Sequence, residues 1–243
     1  MLEIRNVYKT YDNKNYALKD VSLDVNEGDI FAFIGHNGAG KTTLIKSIVG
    51  ILPFEKGSIK IDGIDVNLDS FEAKKIISYI PDEPEAYDTM TGREFLNFVA
   101  DAFNISLSDR KERIEKYAKD LEILGDLDTL IGSYSHGMKQ KIIIISALIH
   151  NPKLIVMDEP FVGLDPKASF TFKNIMREFA SEGGTIFYST HVLETAEKLC
   201  NKIAVIKNGE IVKSGLMDVI IKDESLEQVF MEIYEEGEPS DKN

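Results

Sequence analysis

The sequence predicts an α/β fold: a mostly parallel sheet flanked by helices, an N-terminal antiparallel β subdomain, and an α-helical subdomain inserted into the core. Three observations carry this. Val21, Leu23 and Val25 alternate with polar residues, the period of a half-exposed antiparallel strand. Short apolar runs at 29–34, 76–80, 154–157, 185–188 and 203–206 are separated by helical stretches, the order of a largely parallel sheet. Between 81 and 151 the chain reads almost entirely as helix.

In chain order, residues 2–7 and 21–25 form the antiparallel layer. The run 29–34 ends in Gly35 and leads through a glycine-rich loop into a helix over 41–51, stopped by Pro53. Within the inserted region, Phe95, Phe98, Val99 and Ala102, then Ile114, Tyr117, Ala118 and Leu121, fall at helical spacing. Four β-branched residues, Ile142 to Ile145, favour a strand locally. A helix over 135–150 is nevertheless expected, because Ser135 can cap it and the run far exceeds a typical strand. Leu226, Val229, Phe230 and Ile233 mark a short amphipathic helix, and 237–243 reads as a frayed end. No repeat or long linker is present. The organisation is a single domain over 1–222, with the helical subdomain at about 82–151, and an acidic C-terminal helix and tail over 223–243.

The chain has 243 residues, 43% hydrophobic and 28% charged, which suits a folded globular protein. Its formal charge of −13 repels polyanions and argues against nucleic acid as a partner. Eight carboxylates and one Lys lie in 223–243, so the excess is concentrated at the end. The single cysteine, Cys200, excludes an intramolecular disulfide and reads as a buried packing thiol of a reducing compartment. Neither a secretory signal nor an apolar run of about 20 residues is seen, so any membrane role comes through a partner.

Gly35-His36-Asn37-Gly38-Ala39-Gly40-Lys41-Thr42 matches G-x-x-x-x-G-K-[ST] and lies between an expected strand and helix, the context that supports it. Glycines let successive N–H groups turn toward the phosphates, and the helix N-terminus adds partial positive charge. Lys41 adds a full charge, and the Thr42 hydroxyl suits Mg²⁺. The net charge does not oppose this, because distant charges are screened over about 10 Å. The run 154–157 ends in Asp158-Glu159, acids at the carboxyl end of a buried strand, where α/β folds bind ligands.

With both segments in one chain, the sequence resembles the ATP-binding subunit of an ABC (ATP-binding cassette) transporter over residues 1 to about 235. Three further elements follow in the family's order. Tyr134-Ser135-His136-Gly137-Met138-Lys139-Gln140 is similar to the LSGGQ signature, Gly163-Leu164-Asp165-Pro166 to the D-loop, and Ser189-Thr190-His191 to the switch histidine after a strand. The resemblance implies Mg²⁺-dependent ATP hydrolysis in a head-to-tail dimer, with an identical chain or a close relative as the second cassette.

By that resemblance, residues 35–43, including Thr43, bind the phosphates. Tyr11 stacks on adenine, with Tyr16 as its competitor. Ser135, Gly137 and Met138 reach the ATP of the other copy. Glu159 orients and deprotonates the attacking water, Asp158 and Thr42 hold Mg²⁺, and His191 bonds the γ-phosphate. The sequence departs from the family at Asp82 and within the signature, where Tyr134 and His136 stand in place of Leu and Gly. Asp82 replaces the usual Gln and is assigned a metal or coupling role, against a merely solvated loop acid. His136 replaces a glycine and reads as a packing or solvent-facing residue, with a protonation-dependent phosphate contact as the alternative.

The signature, the D-loop segment, Leu193-Glu194-Thr195-Ala196-Glu197 and Ser225-Leu226-Glu227-Gln228-Val229-Phe230 look most like bacterial export-type cassettes of the bacitracin, antibiotic and peptide group. The implied partner is a separate integral-membrane permease, docked around 82–91. It would hold the chain on the cytoplasmic face of the cell membrane. The competing class is a soluble ABC ATPase of translation or repair. Only 93 residues separate Lys41 from Ser135 and no second phosphate loop exists, which disfavours it. An Asn-Lys-x-Asp guanine-reading segment is absent, and Glu159 with His191 argues against a non-hydrolysing regulator.

Overall fold

The computed structural model describes residues 1–12, 14–222 and 224–235; the expected frayed end at 237–243 lies outside them. The first elements are β1 (Leu2–Thr10), β2 (Tyr16–Val25), β3 (Ile30–Ile34), α1 (Lys41–Ile48), β4 (Lys56–Ile61), β5 (Ile64–Asp65), α2 (Ser70–Lys75) and β6 (Ile77–Ile80). Three helices follow, α3 (Gly92–Ala102), α4 (Leu107–Asp120) and α5 (His136–Leu148). The chain then runs through β7 (Leu154–Asp158), α6 (Pro166–Ser181), β8 (Thr185–Thr190), α7 (Leu193–Leu199), β9 (Lys202–Lys207) and β10 (Glu210–Leu216). It closes with α8 (Met217–Ile221) and α9 (Leu226–Glu235).

The strands form an antiparallel sheet in the order β2-β1-β4-β5 and a six-stranded sheet in the order β10-β9-β3-β8-β7-β6. Every pairing in the second sheet is parallel except β10 with β9. The α/β class with its two β layers and helical segment is therefore as expected.

Burial on both faces explains why the central strands are continuously apolar. Along β3, Ile30, Ala32 and Ile34 enter one core while Phe31 and Phe33 enter the other. β7 repeats the alternation, with Ile155 and Met157 on the first side and Leu154 and Val156 on the second. The first core lies under the helices, including α3, α4 and α5; the second joins the antiparallel sheet to α1. Helix α1 thus sits between the two sheets, and the loop preceding it is held from both sides.

Ile142 to Ile145 are helical and buried, within α5. Ser135 caps the helix by accepting from Met138 N. Core packing on all sides overrides the local strand preference.

Other expectations need correction. The helix expected over 41–51 ends at Ile48, because Gly50 adopts φ 70° and turns the chain before Pro53 is reached. The region 81–151 is less helical than expected: residues 81–91 and 121–135 are loops with two single 3₁₀ turns. Pro81 and Pro84 lack the N–H groups a helix there would use. β4, β5 and β10 were not anticipated. Two-residue turns with positive φ join them to their neighbours: Asp62-Gly63 at 51° and 80° links β4 to β5, and Asn208-Gly209 at 50° and 82° links β9 to β10. Cys200 is buried as expected, with its thiol pushed up to about 12 by that burial.

Candidate functional site

β3 ends at Ile34, and residues 35–40 form the loop that opens α1. Two positions require glycine. Gly40 has φ 114°, and a Cβ there would lie 2.5 Å from the Ala17 carbonyl oxygen; a Cβ at Gly35 would lie 2.6 Å from that of Ile206. Ala39 N donates to His36 O at 3.1 Å, and Gly209 N donates to Ala39 O at 3.0 Å, so the unanticipated β9–β10 turn braces the loop.

Lys41 is buried and curls back over the loop, donating to Gly35 O at 2.8 Å and His36 O at 3.3 Å. Burial pulls its pKa down, while the carboxylates of Glu159 and Asp158 pull it back up. Among the described residues the ammonium hydrogen-bonds backbone carbonyls of the loop and no carboxylate.

The strand β7 delivers Asp158 against α1. Thr42 Oγ1 donates to Asp158 Oδ2 at 2.7 Å, and the buried Ser189 hydroxyl from β8 donates to the other carboxylate oxygen. Ser189 was missed in its own right; its signal was its position at the polar end of an apolar strand beside Thr190 and His191. Glu159 follows with φ 47°, a left-handed conformation uncommon outside glycine, so its backbone is strained at the strand end. Its side chain is 13% exposed and meets His191 Nδ1 at 2.9 Å.

One cavity of about 450 Å³ gathers these groups, with Asn37, Gly38, Gly40, Lys41, Thr42, Thr43, Asp158 and Glu159 in its wall. Tyr11 and Asp82 also line it. Tyr11 lies just past β1, is 67% exposed, and shares a hydrogen bond with Thr43 Oγ1 at 3.2 Å. Tyr16 begins β2 and is not in the cavity wall. Beside the cavity, the Tyr79 hydroxyl is pushed up to about 12 by burial first, then by Asp158, Asp82 and Glu85.

Ser135, Gly137 and Met138 do not line this cavity. They form the start of α5, which is seated on the loop containing Gly163: a Cβ on Gly137 would lie 2.6 Å from Gly163 O. His136 is an exposed residue whose ring lies against Gly163. The packing reading of His136 therefore describes its position. Gln140, fully buried, donates to Pro160 O at 3.1 Å, tying α5 to the residue after Glu159.

The donor set fits a nucleotide with a hard cation. The loop offers N–H groups and an ammonium, and a hydroxyl and a carboxylate oxygen already converge at 2.7 Å. Among the described residues no group of three or more His, Cys, Asp or Glu is arranged to hold a metal by itself. That suits Mg²⁺, which keeps waters and substrate phosphate oxygens around it.

Known proteins resemble this chain in sequence and in fold. The family profile "ABC transporter" matches residues 18–162. NatA, an ABC transporter ATP-binding protein of Bacillus subtilis (strain 168), is 33% identical over 88% of this chain and 89% of its own length. A solved ATP-binding subunit of an ABC transporter superposes with TM-score 0.92 at 32% identity, covering 96% of this chain and 99% of that one. The ATP-binding cassette MJ0796, a dimer in a post-hydrolysis state bound to ADP and Pi, superposes with TM-score 0.81 at 26% identity, over 89% and 99% of the two chains. With the family profile matching more than half of its residues and a relative 33% identical along nearly its whole length, the chain belongs to the ABC transporter family, as an ATP-binding, ATP-hydrolysing subunit.

Proposed function

We propose that this chain hydrolyses MgATP in a head-to-tail dimer of cassettes and so energises a separate integral-membrane permease. The observation that carries the reading is the 2.7 Å bond from Thr42 to Asp158, which joins the phosphate-loop helix to the acid strand beside Lys41 and Glu159. In this reading the N–H groups of residues 35–43 and the Lys41 ammonium hold the phosphates, and Tyr11 offers its exposed ring to adenine. Thr42 and Asp158 would hold Mg²⁺, with Asp82 reaching the same cavity. When bound, the ion supplies positive charge against the phosphate oxygens.

Glu159 takes the proton of the attacking water, and His191 bonds the γ-phosphate. Their 2.9 Å contact means that each occupies the other until nucleotide draws His191 away and frees the Glu159 carboxylate. Phosphoryl transfer depends on positioning and electrostatics, so such an exchange can gate it. Ser135, Gly137 and Met138 lie outside the wall of their own chain's cavity, which supports their serving the ATP of a second, identical or related, cassette.

The permease is assigned to the surface around 82–91. Tyr87, 56% exposed, and Phe98, 48% exposed, stand edge to face at 5.8 Å beside exposed Asp82, Glu83 and Glu85. An apolar patch with an acidic rim suits a short helix of a partner. Among the described residues no helix is long and apolar enough to cross a membrane, so the chain would sit on the cytoplasmic face through that permease. Export of a drug, peptide or similar substrate is supported by the resemblance of the signature, the D-loop segment, 193–197 and 225–230 to exporter cassettes.

Glu159→Gln tests the chemistry. Hydrolysis should fall by about 10²-fold or more while ATP binding persists and a dimer accumulates in size-exclusion chromatography. Hydrolysis at the parent rate would remove Glu159 from this role.

A further inference from the structure

Helix α9 reaches the nucleotide site of its own chain. Its apolar stripe, Leu226 and Val229, is buried in the core under the helices, with Phe230 and Ile233 packed against it. Its first turn is fastened to α7, the helix after His191, because Leu226 N donates to Glu197 Oε2 at 2.8 Å. Near its other end, Lys207 Nζ donates to Ile233 O at 2.7 Å and lies 5.0 Å from the centre of the Tyr234 ring. That cation satisfies a carbonyl the last helical turn leaves open and meets the negative end of the helix dipole.

These contacts deliver Tyr234 to the phosphate loop. Its hydroxyl accepts from His36 N at 3.3 Å and donates to Ile206 O at 3.0 Å. The rings of His36 and Tyr234 meet edge to face, with centroids 5.4 Å apart, and Phe230 packs on Tyr234 at 4.5 Å. Phe230 also walls a cavity of about 300 Å³ shared with Gly35, His36, Asn37, Thr190 and His191. One helix thus touches the first turn of the phosphate loop and the helix after the switch histidine, and shares a cavity wall with the switch-histidine segment between them.

We propose that Tyr234 is a positioning residue of the ATP site, and that α9 clips the phosphate loop to the switch-histidine segment so that its docking and nucleotide binding are coupled. The His36 N–H lies where the loop leaves β3, so holding it fixes the direction in which the following N–H groups point. Without this bond, part of the free energy of ATP binding goes into ordering the loop. Reciprocity then requires bound nucleotide to tighten α9. The inference rests on the ATP-binding reading of the loop, but not on the permease or on export.

The test compares the parent full-length chain with Tyr234→Phe, which keeps the ring packing and removes the hydroxyl. The parent's affinity for MgATP, by calorimetry, tests the ATP-binding reading separately. If Tyr234 positions the loop, Tyr234→Phe should weaken ATP binding by about three- to tenfold, the effect of one net hydrogen bond, and raise KM more than it changes kcat. Amide hydrogen exchange over 226–234 should slow on ATP binding in the parent and respond less in the variant, a readout that a merely structural role would not move. Equal ATP affinity in the two proteins, or parent exchange over 226–234 that ATP leaves unchanged, would overturn the inference.

Discussion

His150 is half-buried just past α5, stacked on Phe103 with ring centroids 3.7 Å apart. Its Nε2 lies 3.2 Å from Ile77 O, and among the described residues its buried Nδ1 has no hydrogen-bond partner. Burial lowers the pKa from its usual 6.5; the Ile77 carbonyl opposes this and the Arg113 guanidinium adds to it. The sign follows from linkage. A histidine depressed in the folded state binds more protons when unfolded, so its contribution is present above about pH 6.5 and is lost as pH falls through the folded value. Urea unfolding at pH 7.5, 6.5 and 5.5 should show stability falling toward acid, with a shallower fall in His150→Gln. At this scale, residues whose spacing is itself the chemistry were legible: the loop ending in Lys41-Thr42, the pair Asp158-Glu159, and His191. Ser189 and Tyr234 were not, because each acts through a neighbour that only the folded chain supplies.

Short elements here are specified at their ends. Thr91 and Glu94 form a reciprocal capping box at the start of α3, and Asp165 caps α6 with Pro166 in its first turn. The missed hairpins carried an equally local signal, Asp-Gly and Asn-Gly, but strands with exposed charged residues such as Lys60 and Glu210 lack the apolar runs that revealed the central ones. The contact between the start of α5 and Gly163 has a measurable consequence. Gly163 has φ 81°, and a Cβ there would collide with the His136 ring. Gly163→Ala should therefore destabilise the protein by about 1–2 kcal/mol from backbone strain alone, plus the collision. His136→Gly should recover the second part only, and denaturation of the double mutant would reveal the coupling.

At the scale of the whole molecule, two cores on opposite faces of one sheet hold α1 and the helical layer apart, so the phosphate loop and the start of α5 belong to differently supported surfaces. The class of fold was legible because strands buried on both faces must be apolar throughout. Sequence order alone did not show which way the start of α5 faces; its assignment to a second copy's ATP came from the family resemblance. The division has a kinetic consequence. If neither chain alone contains a complete site, ATPase activity of the isolated protein should rise as the square of its concentration at high dilution and linearly once it is associated. Initial rates over a dilution series check this, and a first-order law at concentrations where size-exclusion chromatography shows a monomer would mean that a lone chain suffices. A permease holding two cassettes side by side would replace that bimolecular encounter with a fixed effective concentration. Assembly itself would then set the idling rate, before any transported molecule arrives.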